Sequence, residues 1–231
     1  MKSLPDGYRA IVIGASGGIG AALAAKLCED PRCARVEALH RRSTIPIDFD
    51  DEDSIAAAAE ALRSTAPFHL VVNAAGVLHT PRFGPEKKLA DLDYAQMTET
   101  FRINTFGPAL VLRHFAELLD RRHAVMALLS ARVGSIGDNR LGGWYSYRAS
   151  KSALNMIVKT AAIELARSHP GAIVVAMHPG TVDTSLSRPF GGARLGREPS
   201  IAVGEMLAAF DGLAKEDSGR FIAYDGKDIV W

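Results

Sequence analysis

The sequence predicts an α/β fold, in which one doubly wound parallel sheet carries helices on both faces. Short segments that are apolar throughout alternate with longer amphipathic segments along the chain. Strands of this kind are typical of parallel sheets, because helices cover both faces of such a sheet. The chain contains no repeat, low-complexity tract or linker, so residues 1–231 are predicted to form a single domain.

The predicted elements follow from the hydrophobic periodicity of the chain. Asp51 and Asp53 open the second helix, and Pro67 ends it. The segment 181–199 contains three glycines and two prolines and is predicted to be irregular. The predicted strands are residues 9–13, 35–39, 69–72, 124–129, 172–177 and 221–224, and the predicted helices are residues 19–28, 51–63, 94–119, 145–168 and 200–214.

Charge and composition exclude several classes of protein. Lys and Arg total 27 against 26 for Asp and Glu, so a net charge of +1 gives no bulk attraction to nucleic acid or to an anionic membrane. No apolar segment approaches the ~18 residues of a membrane span, and the first residues lack the apolar stretch of a signal peptide. Cys28 and Cys33 are expected to be reduced and to bind no metal. We therefore expect a cytoplasmic protein.

A glycine-rich sequence, GASGGIG at residues 14–20, joins the first strand to the first helix. Gly14 permits a tight turn, Gly18 lets the backbone approach a bound group, and Gly20 permits close packing of helix on strand. The free amides and the positive dipole end of the helix favour a pyrophosphate. This arrangement predicts a Rossmann-like dinucleotide site.

The spacing of residues 14–20, G-x-x-x-G-x-G, resembles that of the short-chain dehydrogenase/reductase family. The segments 73–76 (NAAG), 147–151 (YRASK) and 179–184 (PGTVDT) match further elements of that family in the same order, as does Asn104. The resemblance implies a single-domain oxidoreductase that binds a nicotinamide dinucleotide.

The resemblance also implies which residues contact the cofactor. Thr184 and the Val182 amide are expected to bind the nicotinamide carboxamide, and Asp48, ahead of Phe49, is expected to bind the adenine. With the two arginines considered next, the predicted cofactor contacts are Gly14, Ser16, Gly18, Ile19, Gly20, Arg41, Arg42, Asp48, Phe49, Asn73, Ala74, Gly76, Tyr147, Lys151, Pro179, Gly180, Val182 and Thr184.

The residues that end the second strand indicate which dinucleotide is bound. An NAD enzyme carries an acidic residue there to accept hydrogen bonds from the ribose, whereas this chain has His40, Arg41 and Arg42. A guanidinium can bind a 2′-phosphate through two charge-assisted hydrogen bonds. The sequence therefore predicts NADP(H) in preference to NAD(H), with a solvated basic pair as the alternative role of the arginines.

Tyr147 and Lys151 lie four residues apart and share one face of the predicted helix. An ammonium ~5 Å away favours the phenolate by roughly 3 kcal/mol, which would lower the pKa of the phenol from ~10 toward ~8. That range suits a general acid or base. The resemblance implies that Lys151 also binds the nicotinamide ribose and that Asn104 holds a water in a proton relay.

The serine that would polarise the substrate carbonyl is ambiguous. The family pattern S-S-x-x-G, counted back from Gly134, puts Ala131 at the serine position. Ser130 is one residue early, and adjacent side chains of a strand point to opposite faces. Ser135 in the following loop is the other candidate. We predict Ser130, so the predicted catalytic residues are Asn104, Ser130, Tyr147 and Lys151.

These features predict an NADPH-dependent oxidoreductase that transfers a hydride between nicotinamide and a small-molecule carbonyl or alcohol substrate. Residues 142–145 and 224–231 resemble the C-factor-like branch of the family, which includes a developmental signalling protein. The alternative, motivated by Ala131, is a dinucleotide-binding regulatory protein of the same fold with weak or lost turnover. Helices near 101–119 and 152–165 are apolar over much of their circumference, and relatives pair these helices, so a homo-dimer or homo-tetramer is expected.

Overall fold

The computed structural model describes residues 1–231 and contains one sheet of six parallel strands. The strands are β1 (Tyr8–Ile13), β2 (Cys33–Leu39), β3 (Leu70–Asn73), β4 (Ala124–Leu129), β5 (Ala172–His178) and β6 (Phe221–Ala223). Their order across the sheet is β2-β1-β3-β4-β5-β6. The predicted doubly wound parallel sheet is confirmed, and every predicted strand is present.

Helices cover both faces of the sheet and enclose two hydrophobic cores. The helices are α1 (Gly18–Cys28), α2 (Glu52–Leu62), α3 (Tyr94–Phe101), α4 (Gly107–Phe115), α5 (Tyr145–Ser168), α6 (Gly192–Leu195) and α7 (Pro199–Asp211). One core lies beneath α2, α4 and α5, and the other beneath α1 and α7. None of the helices combines the length and the apolar character that crossing a lipid bilayer requires.

Alternate residues of each strand supply the two cores. In β1, Ile11 and Ile13 belong to the core beneath α2, α4 and α5, whereas Ala10 and Val12 belong to the core beneath α1 and α7. Successive side chains of a strand point to opposite faces, so a strand covered on both sides must be apolar throughout. This requirement is why short, continuously apolar segments of the sequence identified the strands.

The predicted helix 94–119 is interrupted. The α-helical hydrogen bonding of α3 ends at Phe101, residues Arg102–Phe106 form a π-helical turn, and Ala116–Leu118 form a 3₁₀ turn after α4. The chain stays helical through the π turn, whose buried residues are the polar Asn104 and Thr105, so hydrophobic periodicity did not reveal the change in winding. Single π turns inside α-helices are frequent at functional sites.

The carboxyl ends of the parallel strands meet at one edge of the sheet. There α1, which follows β1, lies on one face, whereas α3 and α4, which follow β3, lie on the other. Because the chain leaves two neighbouring strands toward opposite faces, a crevice opens between the loops that follow them. This crevice is where a doubly wound sheet binds its ligands.

Gly107 opens α4 where the Phe49 side chain packs against the helix backbone. A Cβ at Gly107 would overlap the Phe49 ring and lie 2.8 Å from its Cβ. We expect Gly107→Ala to lower the free energy of unfolding by about 1–3 kcal/mol, because overpacking forces neighbouring groups to shift. Guanidinium unfolding followed by circular dichroism measures this change.

The matched control is Gly204→Ala in α7, where the nearest atom to the added Cβ is Lys26 Cε at 3.6 Å. There the same substitution should raise the free energy of unfolding by about 0.5–1 kcal/mol, because it only removes backbone freedom from the unfolded chain. Equal effects at Gly107 and Gly204 would contradict the packing argument.

Candidate active site

Two adjoining cavities lie along the crevice at the carboxyl edge of the sheet. The Tyr147 cavity, of ≈ 330 Å³, is lined by Tyr147, Lys151 and the loop after β5. The Arg41 cavity, of ≈ 480 Å³, is lined by Arg41 and by residues that follow β1 and β2. The two cavities share Gly17 and residues 74–76, so together they form one elongated groove.

The glycine-rich turn forms the floor between the two cavities. Gly14 has a φ of +82°, and a Cβ there would lie 2.7 Å from the Ala75 amide nitrogen, so only glycine fits. The amides of Gly18, Ile19 and Gly20 have no hydrogen-bond acceptor within the protein. This unsatisfied helix start fits the pyrophosphate of a dinucleotide, which accepts hydrogen bonds from such amides.

Thr184 approaches the same turn from the opposite side of the groove. A Cβ at Gly18 would lie 2.7 Å from Thr184 Cγ2. The gap between this amide cradle, formed by residues 18–20, and Thr184 is therefore too narrow for any residue larger than glycine at position 18. Pro179, Gly180 and Val182 line the Tyr147 cavity beside Thr184. The structure therefore brings together the predicted contacts after β5 and those after β1.

Arg41 lines the second cavity with Ser16, Asp48 and Phe49, as expected for the adenosine end of a dinucleotide site. Arg42 is exposed and does not line this cavity, so the structure separates the two predicted arginines. Neither guanidinium forms an ion pair with a carboxylate of the protein. Arg41 is thus available to an anionic group.

The loop after β3 is shaped by the Asn73 side chain and by a backbone hydrogen bond to β1. Asn73 accepts a hydrogen bond from the Ala75 amide at its Oδ1 atom (3.1 Å), and the Ala74 amide donates to the Ile13 carbonyl (2.8 Å). Gly76 follows, and a Cβ there would lie 3.3 Å from Asn104 Oδ1 and 3.6 Å from Lys151 Nζ. The loop therefore passes directly over these two side chains.

Asn104 is fully buried in the π turn and binds the same loop. Its Oδ1 accepts from the Val77 amide (2.9 Å), and its Nδ2 donates to the Val77 carbonyl (2.8 Å) and to Ser150 Oγ (3.2 Å). The widened turn is what directs this amide at the loop rather than at its own helix. The side chain thereby joins the loop after β3 to α5.

Lys151 is buried, and its Nζ donates to the carbonyl of Leu129 at the end of β4 (2.9 Å). The Nζ atom lies 5.9 Å from the centroid of the Tyr147 ring. The two predicted catalytic side chains thus face the same cavity from successive turns of α5.

The predicted lowering of the Tyr147 pKa is wrong for this structure. Burial raises the pKa of Tyr147 to about 12, because the phenolate loses hydration, and it lowers the pKa of Lys151 to about 8. At neutral pH the phenol therefore keeps its proton while most of the lysine remains charged. This combination suits a proton donor.

The three residues of the ambiguous serine segment have different surroundings. Ser130 lines the Tyr147 cavity, and its hydroxyl donates to Asn155 Oδ1 on α5 (2.6 Å). Ala131 also lines the cavity. Ser135 does not line it, and its Oγ accepts from the Asp138 amide (3.0 Å). Neither serine forms a hydrogen bond with the Tyr147 phenol.

The segment 181–199, predicted to be irregular, is partly ordered. It contains the 3₁₀ turn Arg188–Phe190 and the helix α6, and a parallel bridge between Val182 and Arg197 closes its base. Serine hydroxyls and backbone turns supply the hydrogen bonds that longer elements would otherwise provide, as where Ser187 Oγ accepts from the Thr184 amide (3.1 Å). The segment covers one side of the Tyr147 cavity.

Sequence reasoning missed the residue that caps helix α5. The buried Glu86 carboxylate accepts from the Ser146 amide (3.2 Å) and from the Ser146 hydroxyl, and its carbonyl accepts from the Trp144 amide (2.5 Å). Helix α5 has no capping side chain of its own, because Trp144 precedes it. The absence of a Ser, Thr, Asp or Asn before the helix was the only signal in the sequence that a distant residue must cap it.

Three comparisons relate this chain to known proteins. A sequence profile described as short chain dehydrogenase matches residues 8–193. The chain is 38% identical over 169 residues to the protein named C-signal of Myxococcus xanthus, and the aligned region covers 72% of this chain and 95% of that protein. It is 33% identical over 186 residues to 1-hydroxy-2-glutathionyl-2-methyl-3-butene dehydrogenase of Rhodococcus sp. (strain AD45), covering 80% of this chain and 78% of that one. Its fold is similar to that of an NADPH-bound carbonyl reductase from chicken fatty liver, with a TM-score of 0.84 and 26% identity over 99% of this chain and 100% of that one.

Glu86 should contribute to stability through α5. We expect Glu86→Ala to lower the free energy of unfolding by about 1–3 kcal/mol, because it leaves the buried amide and hydroxyl of Ser146 without an acceptor. Urea unfolding measures the change. The matched control is Glu164→Ala on the exposed face of the same helix, which should stay within about 0.5 kcal/mol of the wild type. A Glu86 variant as stable as this control would refute the capping role.

Proposed function

The chain belongs to the short-chain dehydrogenase family, and on that premise we propose that residues 1–231 act as one NADP(H)-dependent oxidoreductase domain. Its substrates are small molecules that carry a carbonyl or an alcohol group. The observation that carries the proposal is that Tyr147 and Lys151 face one groove beside an amide cradle, while Asn104 binds the loop that passes over Lys151. Oxidation of NADPH with a panel of aldehydes, ketones and quinones tests the activity.

The cofactor fits along the groove formed by the two cavities. The amides of Gly18, Ile19 and Gly20 would hold the pyrophosphate, and Arg41 would pair with the 2′-phosphate of the adenosine ribose. Thr184 would contact the carboxamide at the other end. A bound nicotinamide supplies or accepts the hydride.

The side chains of the Tyr147 cavity divide the proton chemistry among them. The Tyr147 phenol donates its proton to the oxygen of the substrate as negative charge develops there. The Lys151 ammonium stabilises the phenolate that remains and would hold a ribose hydroxyl of the bound cofactor. Asn104 fixes the loop that closes over Lys151, and a water beside this loop would connect the ammonium to solvent.

Ser130 is the proposed hydroxyl donor to the substrate oxygen. The Nδ2 atom of Asn155 is buried and has no partner, while its Oδ1 accepts from Ser130. Rotation of this amide by 180° lets Nδ2 donate to Ser130 Oγ and frees the hydroxyl proton for the cavity. Asn155 would then orient the serine toward the substrate.

Two further properties belong to the proposal. We propose a homo-dimer or homo-tetramer that pairs along α4 and α5, because Met156 and Ile163 of α5 and Phe106 beside α4 are exposed apolar side chains.

We also propose that the protein acts in the cytoplasm. Two free cysteines, Cys28 and Cys33, fit a reducing compartment.

A second candidate function is a dinucleotide-binding signalling protein with weak or lost turnover. Two observations favour it, namely Ala131 at the position where the family carries serine and the similarity to the protein named C-signal. The cradle and Arg41 would serve this function equally well. The two candidates therefore differ only in what happens in the Tyr147 cavity.

Cofactor preference should depend on Arg41. We expect NADPH to bind more tightly than NADH by about 1.5–3 kcal/mol, because the guanidinium forms charge-assisted hydrogen bonds with the 2′-phosphate. Arg41→Ala should remove most of the difference, and Arg42→Ala, whose side chain lies outside the cavity, should remove much less. Titration of the fluorescence of each reduced cofactor gives the affinities. Equal wild-type affinities for the two cofactors would overturn the prediction.

Turnover should depend on the Tyr147 hydroxyl. Tyr147→Phe keeps the ring and its packing but removes the proton, so turnover should fall by ~100-fold or more while the NADPH affinity stays nearly unchanged. Lys151→Ala should reduce both, because the ammonium serves proton transfer and ribose binding. Steady-state kinetics and fluorescence titration measure the two quantities. More than a few per cent of residual activity in Tyr147→Phe would rule out this acid.

The serine segment separates the two candidate functions. If Ser130 donates to the substrate oxygen, Ser130→Ala should lower kcat by ~100-fold or more, Ser135→Ala should have a smaller effect, and Ala131→Ser should change little. If turnover has been lost, Ser130→Ala should have little effect, whereas Ala131→Ser should raise kcat by tenfold or more as the missing donor returns. We expect the first pattern. The second would assign the chain to the signalling candidate.

A further inference from the structure

Two aromatic side chains form a wall of the Tyr147 cavity. The Trp144 ring lies edge-on to the Tyr147 ring, with centroids 6.2 Å apart, and edge-on to the Phe190 ring, with centroids 5.3 Å apart. All three side chains line the cavity, and Phe190 keeps 36% of its surface exposed. The wall therefore offers apolar ring surface next to the phenol that would face the reacting oxygen.

The backbone that carries Trp144 is held in an unusual conformation. Gly142, Gly143 and Trp144 are three consecutive residues with φ between +53° and +63°, and Trp144 is the only residue other than glycine with a positive φ. A bulky side chain in this region is strained, and the conformation persists only where the surroundings impose it. A conformation maintained despite this strain indicates that the position of the indole matters.

The Arg148 side chain and the backbone carbonyl of Glu86 impose the conformation of this turn. The Arg148 guanidinium donates to the carbonyls of Gly142 (3.0 Å), Gly143 (2.9 Å) and Val133 (3.1 Å), and it pairs with no carboxylate. Glu86 accepts from the Trp144 amide through its carbonyl (2.5 Å). The turn is thus fixed to the loop after β4 and to the loop after β3, so the indole is positioned before any ligand arrives.

The cationic side chains of the cavity lining are engaged with other groups of the protein. Arg132 lies 3.5 Å from Asp138 and is paired with it, and Lys151 donates to a backbone carbonyl. Burial lowers the pKa of His178 to about 4, so its imidazole is neutral. Val133 and Leu186 add apolar surface to the lining. The groups beyond the reacting centre are therefore neutral or already paired.

We propose that Trp144 and Phe190 form an aryl-binding wall that selects uncharged ketones and aldehydes carrying an aromatic ring beside the carbonyl. The inference rests on the proposed function and names its substrate class. An aromatic ring against this wall can adopt the edge-to-face contacts that aromatic pairs prefer, whereas a saturated ring of the same size gains only burial.

The kinetic test compares acetophenone with cyclohexyl methyl ketone, which differ in aromaticity but little in size. The ratio of their kcat/KM values should fall by about two- to tenfold in Trp144→Leu and in Phe190→Leu relative to the wild type, as expected for the loss of an aromatic contact. Because the comparison is between variants, the intrinsic reactivity of each ketone cancels. Trp144→Phe should retain most of the ratio, and Leu141→Ala, at an exposed residue outside the cavity, should retain all of it.

A binding test needs no turnover. The chain has two tryptophans, so Trp231→Phe leaves Trp144 as the only indole, and Trp144→Phe leaves Trp231. In the presence of NADP⁺, acetophenone should quench the fluorescence of Trp144 saturably and at lower concentration than cyclohexyl methyl ketone does. It should quench Trp231 only in proportion to its concentration.

The outcomes separate the inference from the function on which it rests. An active enzyme whose ketone ratio is unchanged in both leucine variants would overturn the aryl-binding wall, as would the absence of saturable quenching of Trp144. If no carbonyl compound is reduced but the saturable quenching occurs, the wall stands and the oxidoreductase function fails. Should Trp144→Leu not fold, Phe190→Leu and the quenching of the Trp231→Phe protein still decide the question.

Discussion

The candidate site depends on one buried amide. Asn104 binds both polar groups of the Val77 backbone and also contacts Ser150, so a single side chain joins the loop after β3 to the helix that carries Tyr147 and Lys151. Buried polar groups are costly unless fully paired, so this network has essentially one low-energy arrangement. The sheet brings these elements to the same edge, and the amide then fixes the distances among them. This amide lies within the π turn Arg102–Phe106.

The fold and the core of the site could be predicted because they rest on local rules. Strands covered on both faces must be apolar throughout, and helix bounds followed within a few residues from periodicity. An added Cβ would clash with the Ala75 backbone at Gly14 and with Thr184 at Gly18. The spacing of the glycines in the sequence therefore indicates where the fold leaves no room for a side chain. The four-residue spacing of Tyr147 and Lys151 likewise required only a helix.

The missed features depend on contacts between distant parts of the chain. Glu86 lies 60 residues before Ser146, whose hydroxyl donates a hydrogen bond to its carboxylate, and no periodicity links the two residues. The pKa of Tyr147 differs from the prediction because burial removes hydration from the phenolate, and the burial of one side chain cannot be read from a sequence. Arg41 and Arg42 look equivalent in sequence, yet only the fold decides that one lines the cavity.

Cofactor binding and turnover rest on different kinds of structure in this protein. The cradle consists of backbone amides and glycines held by the sheet, so truncation of a polar side chain leaves it intact, and only a side chain added at a glycine such as Gly14 would disrupt it. Turnover depends instead on individual protons, and the loss of one hydroxyl donor to a developing oxyanion changes a rate by ~100-fold or more. Loss of such a donor therefore acts on rate while leaving the groove intact. A groove built in this way would hold a dinucleotide with or without turnover, so the similarity to the protein named C-signal and the similarity to a carbonyl reductase are compatible in one chain.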